Sequence, residues 1–205
     1  MKKIIKSFVK NLSKLIFAIL NLTKAGRYFS ENFVKFNFNK KQTIKHNNIN
    51  LSFYSPNRLN HFRIETFSTK EPETLEWINK FSEKSVFWDI GANIGLYSIY
   101  AAKIHSDIEV ISFEPSTNNL RILSRNIFIN KLQDKIKILQ LPLGKEGIKF
   151  ANLKESQFHE GSSHNSFNND LDFEGKRIKV TNDYKILGIS IKYLLENNIL
   201  EIPDY

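Results

Sequence analysis

Val86-Phe87-Trp88-Asp89-Ile90-Gly91-Ala92-Asn93-Ile94-Gly95 is the stretch that decides the fold of this chain. An apolar run ends on an acid, a glycine-rich turn follows, and the residues up to Ile104 continue at helical spacing. Glycines in such a turn adopt backbone conformations closed to other residues, let a ligand approach the main chain, and leave free N–H groups where the helix starts. Glu114 closes the next apolar run, about where an acid grips ribose hydroxyls in dinucleotide and nucleoside folds.

Around this turn the pattern predicts a strand over Val86–Asp89, a helix over Ile94–Ile104, a strand over Val110–Glu114, a helix over Asn118–Lys131 and a strand over Ile136–Leu141. Apolar strands alternating with helices of this length indicate an α/β fold with parallel strands, which binds ligands outside the carboxyl ends of its strands. Downstream, Ile148–Leu153 and Ile178–Leu187 read as strands flanking a polar loop, Glu155–Asp172. A short helix follows over Ser190–Asn197, with Ser190 as its cap. Upstream, Glu71-Pro72-Glu73 starts a helix expected to reach about Phe81. Alternation from Phe33 through Phe36, Phe38, Ile44, Ile49 and Leu51 to Phe53 predicts short antiparallel strands, with a turn at His46-Asn47-Asn48.

At the N-terminus Ile4, Ile5, Phe8, Val9, Leu12, Leu15, Ile16 and Ile19 recur at helical spacing with Lys6, Lys10 and Lys14 largely between them, a basic amphipathic helix. Intramolecular docking, a partner subunit and peripheral membrane contact through residues 1–22 all remain open. The Leu15–Leu20 run is too short to span a bilayer, and no small-residue cleavage site follows it, so a signal peptide is not expected. The expected organisation is an N-terminal region of helix and short strands over residues 1–68 and an α/β domain over residues 69–205.

The 205 residues carry 30 Lys and Arg against 21 Asp and Glu, a formal charge of +9. Spread through Ile/Asn/Lys-rich sequence, this excess favours anionic partners without giving a strong nucleic-acid signal. The absence of cysteine excludes disulfides, thiolate metal sites and a cysteine nucleophile, and fits a cytoplasmic setting.

From the residues alone, the glycine turn admits a nicotinamide dinucleotide or an adenosyl sulfonium. The dinucleotide fingerprint Gly-x-Gly-x-x-Gly is not met, because Asn93 fills its middle position. Asp89, two residues before the first glycine, suits a cationic amino-acid group better than a pyrophosphate.

Three segments in this order, Lys70 to Ile78, Phe87 to Ser98 and Phe113-Glu114-Pro115-Ser116, continued by Asn118-Asn119-Leu120 and Arg125-Asn126-Ile127, resemble the FkbM-type S-adenosylmethionine-dependent methyltransferases. The likeness runs from about Arg63 to the end. It implies a Rossmann-like class I methyltransferase sheet, with Asp89, Gly91, Ala92, Asn93 and Gly95 around the methionine part of S-adenosyl-L-methionine and Glu114 on its ribose. Gln140 and Leu141 would lie near the adenine. Family members methylate hydroxyl oxygens, often of a sugar or natural product, so a small-molecule or glycan hydroxyl is the implied acceptor.

The loop Gly161–Ser166, with Ser163 and His164, falls where the family contacts its acceptor, and a disordered insertion explains it equally well; His159 and His164 read more readily as surface histidines than as acceptor contacts, and two histidines do not make a metal site. Arg63 and Glu73 are weaker candidates. The family pattern continues past Tyr205 into a further central strand, which would leave this sheet incomplete at the C-terminus, its Val86–Asp89 edge unpaired and activity impaired. The expected function is therefore methyl transfer, with a nicotinamide-dependent oxidoreductase and a non-catalytic basic module for RNA or membrane as alternatives.

Overall fold

The computed structural model describes residues 2–172 and 174–205. They form two compact units divided between Lys40 and Lys41. The division lies earlier than the expected boundary at residue 68, because the segment 41–68 belongs with the α/β unit.

The first unit is a helical hairpin of α1 (Lys2–Leu20) and α2 (Lys24–Phe38). Thr23 caps α2, its hydroxyl oxygen accepting from the Gly26 N–H at 2.9 Å. The strand expected around Phe33, Phe36 and Phe38 is thus a helix. Over so short a window these phenylalanines satisfy both periods, and helical spacing wins by bringing Phe29 onto Phe33, 6.3 Å between ring centroids, and Phe33 onto Phe17 at 5.7 Å.

The second unit opens with the hairpin β1 (Lys41–His46) and β2 (Ile49–Tyr54). Asn47 and Asn48 turn it with φ of 46° and 62°, the left-handed pair a two-residue type I′ turn requires. Three short helices follow, α3 (Arg58–Glu65), α4 (Phe67–Lys70) and α5 (Pro72–Ile78). Then come β3 (Val86–Ile90), α6 (Leu96–Ile104), β4 (Glu109–Phe113), α7 (Thr117–Ile129) and β5 (Ile136–Leu139). The three strands are parallel, in the order β3-β4-β5. This β-α-β-α-β unit is one half of a Rossmann-like α/β fold, the architecture expected from the alternation.

A second, four-stranded sheet has the order β6-β9-β7-β8, from β6 (Leu143–Gly144), β7 (Ile148–Glu155), β8 (Asn165–Phe167) and β9 (Asn182–Ser190). β9 starts later than the expected strand because Asn182 to Ile189 pair residue by residue with β7, whereas Ile178 is drawn aside by the Asp170 carbonyl. Helix α8 (Ile191–Glu196) follows, and Ser190 Oγ accepts from the Tyr193 N–H at 3.1 Å, as its sequence position predicts. Ile189 and Leu194 bring this region onto Trp88, Ile111 and Phe113 of the parallel sheet in one buried cluster, partly covered by Leu139, Leu141 and Leu143.

Asn126 of α7 and Asn130, which caps that helix, hold the hairpin, and Asn126 also ties it to the glycine turn. Asn126 Oδ1 accepts from the Tyr54 N–H at 2.7 Å while its Nδ2 donates to the Ile94 carbonyl at 2.8 Å. Asn130 meets both the N–H and the carbonyl of Ser52. Their amides serve as a surrogate strand along β2.

The β3 edge expected to be unpaired is partly engaged. Asp204 N–H donates to the Val86 carbonyl at 2.8 Å, and Trp88 N–H donates to the Tyr205 carbonyl at 3.0 Å. The Tyr205 ring stacks on Phe81, with centroids 4.0 Å apart, and this apolar contact holds the segment in place.

Candidate functional site

The site lies where β3 and β4 end, as the parallel-sheet rule requires. After Ile90 the chain turns sharply: Gly91, Asn93 and Gly95 take positive φ of 83°, 53° and 83°. The Gly91 and Ala92 N–H groups both donate to the Phe113 carbonyl at 2.9 Å, which locks the turn onto the end of β4. Gly95 serves packing rather than ligand access, since a Cβ there would lie 2.4 Å from Leu123 Cδ1 of α7.

Asp89 is buried at the end of β3. Its Oδ2 accepts from the Ser98 hydroxyl and, at 3.1 Å, from the Ser98 N–H; the Ser98 hydroxyl in turn lies 2.7 Å from that of Ser112. Burial pushes the Asp89 carboxyl above its ordinary range, against the pull of the Ser98 donors. Glu114 sits opposite, only 4% exposed. Asn93 N–H donates to its Oε2 and Ser116 N–H to its Oε1, each at 2.8 Å. Desolvation outweighs these donors and raises the Glu114 carboxyl to about 7. The Asn119 side chain also donates to this carboxylate, and a carboxylate has room for a further donor beyond these three.

Two adjoining cavities flank the turn. The larger, about 410 Å³, is bounded by Asp89, Gly91, Ala92 and Asn93 on one side and by Arg63, Glu71 and Tyr97 on another. The smaller, about 170 Å³, lies against Gly91, Asn93, Glu114 and Asn119. Ser163 and Asn165 border both. Together they have the size of a small-ligand pocket, about 300–1,000 Å³.

The polar loop forms the roof and is fastened rather than loose. Asn93 Nδ2 and Asn119 Nδ2 donate to the Ser162 carbonyl at 2.8 and 3.0 Å, Asn119 Oδ1 accepts from the Gly161 N–H at 2.8 Å, and Arg63 Nε donates to the Gly161 carbonyl at 2.7 Å. Behind it, buried Glu155 bridges Ser116 Oγ at 2.5 Å and Asn182 Nδ2 at 2.8 Å, joining β7 and β9 to the start of α7.

Of the residues singled out in the sequence, Asp89, Gly91, Ala92, Asn93, Glu114 and Ser163 meet at these cavities. Others do not. Gln140 is exposed and Leu141 packs on the apolar cluster, because β5 ends at Leu139 and the chain turns away toward β6. His159 borders a separate surface hollow with Asn57, Arg58 and Phe62. His164 Nδ1 pairs with Asp172 Oδ2 at 2.9 Å. Glu73 occupies the first turn of α5, away from both cavities. Among the described residues no cluster of three or more metal-binding side chains occurs.

The sequence does not announce as a unit the wall formed by α3, α4 and the Glu71 that follows them. Arg63, Phe67, Lys70 and Glu71 border the larger cavity, and their spacing of four, three and one is that of a single helical face. Tyr97 joins them, its hydroxyl donating to Glu71 Oε2 at 2.7 Å, while Lys70 Nζ lies 2.9 Å from Glu71 Oε1. The Tyr97 and Lys70 donors hold the Glu71 carboxyl below its usual range, and burial followed by the Glu71 bond drives the Tyr97 phenol upward. Burial also works against the Arg63 charge.

No family model matches the chain. A stretch of 55 residues, 27% of this chain, is 38% identical to Methyltransferase sdnD of Sordaria araneosa. The match spans 21% of that protein, about a fifth of its length. Among solved structures, a putative S-adenosyl-L-methionine-dependent methyltransferase of Methanococcus maripaludis is 25% identical with a TM-score of 0.34, covering 40% of this chain and 39% of that one. TYW2 of P. horikoshii in complex with MeSAdo is 17% identical with a TM-score of 0.37, covering 51% and 37%. Overlaps of that extent carry no weight of their own; the sequence match is to a methyltransferase, and the site geometry stands beside it.

Proposed function

We propose that the two cavities take S-adenosyl-L-methionine and that the function served is methyl transfer. The observation that carries this is the placement of one buried carboxylate on each side of the Gly91–Asn93 turn, Asp89 toward the larger cavity and Glu114 toward the smaller. A pyrophosphate between two carboxylates would be repelled, whereas an ammonium group on one side and ribose hydroxyls on the other are each met by an acceptor. The nicotinamide alternative is disfavoured on the same ground.

In this assignment Asp89 faces the cationic amino-acid end and Glu114 accepts from the ribose, with Gly91, Ala92 and Asn93 as the backbone between them. Arg63, on the opposite wall, supplies positive charge for a carboxylate. The bound cofactor supplies a methyl group already activated on a sulfonium. The chain's task is then to orient the acceptor and exclude water, for which the fastened Gly161–Ser163 roof is suited. Tyr97 stays protonated and Glu71 ionised near neutrality, so this pair positions an acceptor hydroxyl rather than removing its proton.

The finer reading is an FkbM-type O-methyltransferase acting on a sugar or natural-product hydroxyl. Ser163, Asn165 and Tyr97 around the larger cavity offer the hydrogen-bonding groups a polyol acceptor needs. Thermal unfolding with S-adenosylhomocysteine or a nicotinamide dinucleotide tests the cofactor assignment. A concentration-dependent rise in Tm with the former alone supports it, and a rise only with the dinucleotide overturns it.

A further inference from the structure

We propose that the first unit docks the protein on an anionic lipid bilayer, with α1 lying in the interface plane. This inference does not rest on the methyltransferase assignment. Eight apolar residues of α1 form one stripe, Ile4, Ile5, Phe8, Val9, Leu12, Leu15, Ile16 and Ile19, and all eight are 44–75% exposed. The stripe stays bare because α2 meets α1 elsewhere: the ring contact with Phe33 comes from Phe17, which lies three residues beyond Lys14 and seven beyond Lys10, on the lysine side.

The charge chooses the occupant. Residues 1–40 hold nine lysines and arginines and one acid, Glu31, leaving 21 basic and 20 acidic residues in the rest of the chain. The excess that looks dispersed along the whole sequence is therefore concentrated in this one unit, whose first thirty residues contain no acid at all. A second copy of the same hairpin would bring like charges together. RNA would satisfy the lysines but offers no apolar phase to eight exposed aliphatic and aromatic side chains. An anionic bilayer meets both needs, with acyl chains for the stripe and headgroups for exposed Lys6, Lys10 and Lys14, whose long stems extend to the polar layer. Among the described residues no helix is long and apolar enough to cross a membrane, so the geometry is one of lying on the surface, along about 28 Å of helix.

Flotation of the full chain with vesicles of phosphatidylcholine, alone or mixed with phosphatidylglycerol, tests this. Binding is expected on the mixed vesicles and much weaker binding on phosphatidylcholine. Lys6→Gln, Lys10→Gln and Lys14→Gln together should weaken binding by about 100-fold, at roughly fivefold per lysine. Leu12→Asp with Ile16→Asp should abolish it while leaving thermal unfolding of the chain unchanged, and Phe8→Trp should shift its emission to the blue when mixed vesicles are added. Absence of binding to mixed vesicles, binding indifferent to the Leu12 and Ile16 changes, or an unshifted Phe8→Trp emission would each overturn the proposal. So would tight binding of RNA by a chain that ignores the vesicles.

Discussion

The N–H of Asn93 donates to Glu114 Oε2 at 2.8 Å, so the glycine turn after β3 and the acid after β4 are held as one unit. Ser116 holds the other oxygen of the same carboxylate. Neither bond survives replacement of the carboxylate by a methyl group. Glu114→Ala is expected to cost about 1–3 kcal/mol of stability through the two orphaned donors, read by urea unfolding. Its larger effect falls on the ligand, with affinity for S-adenosylmethionine lowered at least about tenfold, the equivalent of one lost charged hydrogen bond.

The same carboxylate sets a pH dependence. Its folded value of about 7 lies above the ordinary 4.5, so between these values the native state holds a proton the unfolded chain has released. Stability contributed by protonated Glu114 is fully present at low pH and is lost as pH rises from about 4.5 to 7, by about 3 kcal/mol in order of magnitude. Ribose hydroxyls donate to the ionised form, so ligand binding should expel a proton near pH 7. Calorimetry in two buffers of different ionisation enthalpy would register that release in the wild type, and Glu114→Gln should remove it.

Gly95 carries both left-handed φ and close packing against Leu123. Gly95→Ala should destabilise by about 2–4 kcal/mol, as strain and overpacking add. Gly175 shares a positive φ of 74° but has open space where a Cβ would stand. Gly175→Ala should cost only about 1 kcal/mol. Chemical unfolding of the pair separates packing from backbone strain.

The roof depends on Asn119, which both donates to Ser162 and accepts from Gly161. Asn119→Ala should loosen it. Amide exchange of Gly161 is expected to quicken by about tenfold, one hydrogen bond's worth, while β4 and α6 keep their protection. Unchanged exchange would show that Arg63 and Asn93 suffice.

How far the sequence discloses this arrangement varies with the kind of signal. The β3-α6-β4-α7-β5 path is legible because its strands are short apolar runs and its turn contains glycines at two of the three positions with positive φ. α2 is not legible, since Phe33, Phe36 and Phe38 fit two periods until the ring contacts decide. α3 is hidden by its polar composition: Asn60 and Ile64 are buried while Phe62 is exposed, the reverse of what hydropathy suggests for two of the three. The cavity wall of Arg63, Lys70 and Glu71 could have been found by following one helical face from Phe67. The anchoring of Asn93 and Asn119 on the Ser162 carbonyl joins residues far apart in sequence, and no local pattern announces it. Gln140 and Leu141 follow the end of β5 and border neither cavity, and only the family likeness, not a local pattern, points to them.

Calorimetric titration of S-adenosylmethionine into the chain, into Asp89→Ala and into Glu114→Ala asks whether the two carboxylates hold the cofactor. Saturable one-to-one binding is expected of the wild type and a marked loss in both variants, each shown to be folded by circular dichroism. Folded wild type that binds no S-adenosylmethionine, or that binds it equally well without either carboxylate, would contradict the assignment of the two cavities.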